Sequence, residues 1–140
     1  MEVEEIWKRF QKHMDYTDEE MKIFRSDPEK VKMVTGTSEF VKARVIAEVI
    51  ESQGCHAKHK VGDKFVMTAG GQLIAEESPK RMCMFALGPV SQKLPAIYER
   101  LVTKSDPQFE RFSIVQCTDI GLDKGGWGKI LMKVYVEKPK

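Results

Sequence analysis

At Glu39 the apolar pattern of the chain changes period. From there Val41, Ala43, Val45, Ala47 and Val49 alternate with Lys42, Arg44, Ile46, Glu48 and Ile50. A period of two held this long specifies a strand with one face of small apolar side chains, and that face must be buried against something. Ser52-Gln53-Gly54 is expected to end it. Partner strands are legible downstream. Lys64 to Thr68 is one, with Gly70-Gly71 as a tight connection to a further strand at Gln72 to Ala75, because paired glycines accept the positive φ angles of such a turn. Phe112, Ile114 and Gln116 alternate with Ser113, Val115 and Cys117, and Lys129 to Glu137 sets Ile130, Met132, Val134 and Val136 on one face. The pattern predicts a mostly antiparallel sheet of about four to five strands.

Before Glu39 the spacing is helical. Ile6, Trp7, Phe10 and Met14 form an apolar stripe on a helix from about Val3 to Met14. Thr17 and Glu20 fit a capping box that starts a second helix near Asp18, with Met21 and Phe24 inward. Asp27-Pro28 reads as an N-cap and first-turn proline for a third, carrying Val31 and Val34, and Gly36-Thr37-Ser38 closes the segment. Ser78-Pro79 resembles another such start, so Lys80 to Leu87 reads as a short buried helix. A strand fits it equally, since Met82 to Leu87 has no polar face to set a period. Leu94, Ile97 and Leu101 give a longer helix from about Ser91 to Val102, with Pro95 in its first turn. The expected class is therefore α+β: a helical segment over residues 1–38, then an α+β domain over 39–140 with one further long helix. No repeat or low-complexity linker separates the two, so one shared core is expected.

Charge removes some functions. Twenty-three Lys and Arg against 21 Asp and Glu leave a net charge of +2, too little for a phosphate-backbone footprint, so nucleic acid is not an expected partner. No run approaches the roughly 20 apolar residues of a membrane helix. Three cysteines, an odd number, follow a start (MEVEEIWKRF) that is acidic and lacks a signal-peptide apolar run, which points to a reducing, cytoplasmic setting.

Chemistry is concentrated near the cysteines. In Gly54-Cys55-His56-Ala57-Lys58-His59-Lys60 a thiolate and an imidazole follow a sharp turn, and sulfur and nitrogen ligands suit zinc or iron. The expected metal set is Cys55, His59 and Cys117, with Cys83, Asp63, Asp119 or His56 as further ligands. The same loop also reads as solvated and polar. A metal-free reading makes Cys55 a nucleophile among Lys58, Lys60, His56 and His59, since nearby cations raise the thiolate fraction. His59 or His56 then shuttles the proton and Asp63 or Asp119 orients it, so the catalytic candidates are Cys55, His59, Cys117 and Asp119. Cys83, in the most apolar segment, reads as a small buried hydrophobe. Cys117 ends a strand before a turn, where scaffolds present reactive groups, while Asp119 also fits a plain Asx turn. Gly125-Gly126-Trp127-Gly128 reads either as a ligand-approaching backbone with an indole wall, making Gly125, Gly126 and Trp127 binding candidates, or as a turn with Trp127 over the core edge. No P-loop and no G-x-G-x-x-G occurs, so no nucleotide cofactor is expected. The methionines read as core filler.

Taken together, G-C-H-A-K-H-K-V-G-D-K-F, S-P-K-R-M-C-M-F-A-L and C-T-D-I-G-L-D-K-G-G-W-G resemble a family of small prokaryotic proteins of uncharacterised function, common in anaerobic bacteria and archaea. The similarity runs from about Val41 to Glu137. It implies that Cys55, Cys83, Cys117 and the C-T-D-x-G stretch belong together, and it implies no mechanism. Three functions are expected from this reading. The first is a small cytoplasmic protein binding a metal ion or small ligand at a Cys/His site. The second is a cysteine-dependent enzyme on a small organic substrate. The third is an oligomeric accessory subunit of an anaerobic enzyme system, a homo-oligomer or one whose Trp7, Phe10 and Phe24 dock a partner.

Overall fold

The computed structural model describes residues 2–36, 42–108 and 111–137. The chain divides into two compact units, Met1–Ser38 and Glu39–Lys140. In the first, α1 (Val3–Met14), α2 (Asp18–Arg25) and α3 (Pro28–Thr35) start where their capping residues place them. The Glu20 N–H donates to Thr17 Oγ1 at 3.1 Å and the Thr17 N–H donates back to Glu20 Oε1 at 2.9 Å, closing the capping box. Asp27 Oδ1 accepts from the Glu29 N–H at 3.0 Å, one residue after Pro28. Trp7 is buried and meets Phe10 and Phe24 edge-on at 6.0 and 6.3 Å, while the Arg25 guanidinium lies 4.4 Å over its ring. Each such ring pair adds about 0.5–1.5 kcal/mol beyond area burial. The aromatics named for partner docking are thus packed on one another. Met14, in the last turn of α1, falls outside this cluster and is exposed.

The second unit is built on β1 (Arg44–Gln53), β2 (Lys64–Thr68), β3 (Ile114–Gln116) and β4 (Lys129–Glu137), in the order β2-β1-β4-β3 with every neighbouring pair antiparallel. Together with the helices this is the expected α+β class. Val45, Ala47 and Val49 of β1 and Ile130, Met132 and Val134 of β4 all lie on the buried face, as their alternation requires. They pack with Phe65 of β2, with Ala86 and Val90 of α4 (Met84–Ser91) and with Ile97 of α5 (Leu94–Val102). Burying one such side chain contributes about 1.5–3 kcal/mol. Pro95 sits in the first turn of α5, where it costs no hydrogen bond.

Several boundaries differ from those expected. β1 runs through Ser52 to Gln53 because a bulge absorbs one residue: Val49 faces Met132 and Glu51 faces Leu131, leaving Ile50 unpaired. The strand expected over Gln72 to Ala75 is a single bridge, Met67 to Leu73, followed by a 3₁₀ turn at Ala75–Glu77. Ser78 caps no helix, because its hydroxyl is already committed: it accepts from the Val66 N–H at 3.0 Å and donates to the Ile74 carbonyl at 2.7 Å. The helix starts instead at Met84, one residue past Cys83, and takes Ser91 as its last residue. The expected helix end at Thr37-Ser38 and the first residue of the alternating run, Val41, lie outside the described residues. No helix among the described residues is long and apolar enough to cross a membrane.

Candidate functional site

Antiparallel pairing puts Gln53, the last residue of β1, opposite Lys129, the first of β4, and puts Gln116 at the end of β3 opposite Leu131. The loop after β1, the loop after β3 and the glycine-rich turn before β4 therefore emerge at one end of the sheet. The start of α4 is tied to the same end, where the Thr118 N–H donates to the Phe85 carbonyl at 2.8 Å. There Cys55, Cys83 and Cys117, contributed by three separate segments, line one cavity of about 230 Å³ together with His59, Phe85 and Trp127. All three thiols are unpaired and half-buried.

Glycine makes this junction possible. The Gly54 and Gly128 backbones touch, and a Cβ on Gly128 would overlap the Gly54 carbonyl. Gly54 also holds φ at +60°, which turns the chain sharply off β1 into the Cys55 loop.

His59 is buried, at 3% exposure, with its ring edge-on to Phe65 at 4.9 Å. Its Nε2 accepts from the Cys83 N–H at 3.2 Å, and its Nδ1 lies 3.9 Å from Asp63 Oδ2. Burial holds the imidazole below its ordinary value; the Asp63 charge pulls it back up and Lys60 pushes it further down. The neutral ring with its proton on Nδ1 fits both contacts. Ser52 Oγ donates to the His59 carbonyl at 2.6 Å, fixing the loop to β1. For Asp63, burial raises the carboxyl, but hydrogen bonds from the Lys60 N–H and ammonium, with the charges of Lys60 and His59, outweigh it and leave it below its ordinary value.

Asp119 organises the glycine-rich turn. Its Oδ1 accepts from the Gly121 N–H at 3.1 Å, and its carboxylate also accepts from the N–H groups of Trp127 (3.1 Å) and Gly128 (3.1 Å). The Gly121 bond, joined by those of Gly128 and Trp127 against an opposing effect of burial, keeps its carboxyl below the usual value. Gly126 lies so close that a Cβ there would run into Asp119 Oδ1. Cys117 Sγ is held beside it, accepting from the Ile130 N–H at 3.4 Å and donating to the Asp119 carbonyl at 3.7 Å.

Of the expected site residues, Cys55, His59, Cys117, Asp119 and Trp127 all line the cavity. Gly125 and Gly126 do not line it. Gly125, at φ +95°, makes the turn and Gly126 admits Asp119, while Gly128 is the glycine that reaches the cavity wall. His56 lines the wall and meets Trp127 edge-on at 5.5 Å. Cys83, read from its apolar neighbours as core, is the lining thiol that local sequence hides; Lys129, Phe85 and Ile130 were likewise unmarked. Among the described residues no three His, Cys, Asp or Glu side chains stand ready to share a metal ion. For the set Cys55, His59 and Cys117 the obstacle is visible: the Nε2 lone pair of His59 is already given to Cys83, so ligation there requires that bond to break. Comparison of the chain with protein-family models, with curated proteins and with solved structures finds no match.

Proposed function

We propose that this chain is a cytoplasmic protein that binds a small organic ligand in the thiol-lined cavity at the end of its sheet. The observation that carries the reading is the convergence of Cys55, Cys83 and Cys117 with Trp127 on one mostly apolar cavity, since convergent groups in a preformed concave site are what ligand recognition requires. The resemblance of the three cysteine-bearing motifs to one prokaryotic family supports the same grouping. Backbone N–H groups of Trp127 and Gly128 already bind the Asp119 carboxylate, so the turn that carries the indole is held before any ligand arrives. A fragment screen followed by amide chemical-shift perturbation tests this. Hits should move resonances of residues 54–59, Cys83, Phe85 and 117–130, and hits that move only other surfaces would overturn the reading.

A cysteine-dependent reaction is the second reading, favoured by three unpaired thiols facing the ligand space, with Cys55 or Cys117 as nucleophile. His59 then acts through the position of Cys83, because its Nε2 already accepts from the Cys83 N–H. Zinc or iron held by Cys55, His59 and Cys117 is tested by elemental analysis of protein purified without oxygen. Close to one equivalent, lost in Cys55→Ala, would establish it.

A further inference from the structure

At about 230 Å³ the thiol-lined cavity is larger than the roughly 150 Å³ that holds one benzene and smaller than the roughly 300–1,000 Å³ of sites for drug-sized molecules. One or two rings fit it. Several polar groups of its wall are already bonded within the chain. Asp119 accepts from the N–H groups of Gly121, Trp127 and Gly128. His59 Nε2 accepts from the Cys83 N–H, and Cys117 Sγ is held between the Ile130 N–H and the Asp119 carbonyl. Alternation along β4 turns Lys129 away from the buried Ile130, and its stem lies against Gly121 beside the neighbouring cavity that Asp123 also lines. What the chain leaves uncovered is aromatic. Trp127 is 74% exposed and Phe85 62%, although both line the cavity. The indole meets the His56 ring at 5.5 Å, and His56 lines this cavity and not its neighbour, which puts the indole on this side of the turn.

We infer that the ligand is an uncharged molecule of one or two aromatic rings, seated against the indole of Trp127. This rests on the cavity being a ligand site. A charged group brought there sheds water while the carboxylate and the buried imidazole of the wall stay committed to the chain, whereas a flat ring gains edge-on or stacked contact with the indole beyond the area it buries.

Amide chemical-shift titrations with 2-phenylethanol, 2-cyclohexylethanol, phenylacetate and 2-phenylethylammonium test this. They are run on the full parent chain and on Trp127→Leu, which keeps the backbone N–H that binds Asp119 and an apolar side chain. In the parent chain 2-phenylethanol should shift residues 54–59 and 117–130 and bind roughly tenfold or more tightly than either ion. Trp127→Leu should weaken 2-phenylethanol about two- to tenfold more than it weakens 2-cyclohexylethanol, the size of a ring-pair contribution freed from the difference in hydrophobicity between the two alcohols. An ion that binds as tightly as 2-phenylethanol, or equal losses for the two alcohols in the variant, overturns the inference and leaves the cavity reading standing. If none of the four shifts the cavity residues the inference falls, and the cavity reading falls with it only when the fragment screen also finds no hit there.

Discussion

The Cys83 N–H donates to His59 Nε2 at 3.2 Å, and through this one bond the loop after β1 holds the residue that precedes α4. Cys83 has no side-chain cap to offer that helix, so the imidazole serves as the acceptor for a half-buried backbone donor. His59→Ala leaves that donor without a partner and should cost about 1–3 kcal/mol in a urea titration, beyond any packing loss against Phe65. His59→Gln can place Oε1 near the lost nitrogen and should recover most of it. Equal losses for the two variants would mean that the bond contributes nothing separate from packing.

Acid should weaken the second unit in two stages. His59 sits below its ordinary 6.5 in the folded chain, so below about pH 6.5 the unfolded chain takes up a proton that the folded chain resists, and stability falls as pH drops from there toward the folded value. Asp63 and Asp119, also held low, add their loss only below their ordinary 3.8. Denaturation midpoints between pH 7 and 5 should therefore decline for the parent chain and stay flat for His59→Gln. A parallel decline in both would place the upper stage elsewhere.

Three thiols on one small cavity should not react independently. With N-ethylmaleimide followed by intact mass, the first adduct on the folded chain should slow the second and third several-fold, because the added ring occupies space that all three share. In urea the three should react alike. Statistical labelling of the folded chain would show that the sulfurs do not share the space.

Gly126 and Asp119 form a coupled pair. Gly126→Ala drives a methyl into Asp119 Oδ1 and should destabilise the turn, while Asp119→Ala should speed amide exchange at Gly121, Trp127 and Gly128. In the double variant the severest clash is gone and only the Gly121 backbone still crowds the methyl, so the Gly126→Ala penalty should shrink. Additive penalties would contradict this geometry.

On the other side of the sheet, the Tyr135 hydroxyl donates to Glu48 Oε1 at 2.9 Å. Burial, then this bond and the Glu48 charge, pushes the phenol up to about 12 from an ordinary 10.0. A raised folded value means stability present below pH 10 and lost as the pH climbs from 10 toward 12. Tyr135→Phe should flatten that alkaline loss, and absorbance titration should show the last phenolate of the folded chain disappearing with it.

Local chemistry was readable wherever a signal was self-contained. The Thr17–Glu20 box, the Asp27-Pro28 start and the two-residue period of β1 and β4 each carry their structure within a few residues. Boundaries fixed by distant partners were not. Ser78 looks like a helix cap until Val66 claims its hydroxyl, and Gln72 to Ala75 looks like a strand until the chain coils into its 3₁₀ turn. Within the site, Cys55 and Cys117 were visible as loop thiols at strand ends. Cys83 carried a core reading beside its place among the further ligands, because an apolar neighbourhood in sequence is the same whether it faces the core or a cavity, and Lys129 was unmarked because a lysine opening a strand has no marked spacing. Asp119 was seen with both of its readings, and the backbone amides around it favour the turn.

The bulge at Ile50 turns residue count into site placement. It shifts the parity of β1, so that Ser52 pairs with the buried Ile130 and reaches the His59 carbonyl while Glu51 faces outward. Without the bulge, plain alternation of the same sequence would turn Glu51 toward the core and swing Ser52 away from the loop it anchors. Deleting Ile50 takes out the extra residue and leaves Glu51 opposite Leu131 and Ser52 opposite Ile130, so the anchoring of the loop by Ser52 is expected to survive that deletion.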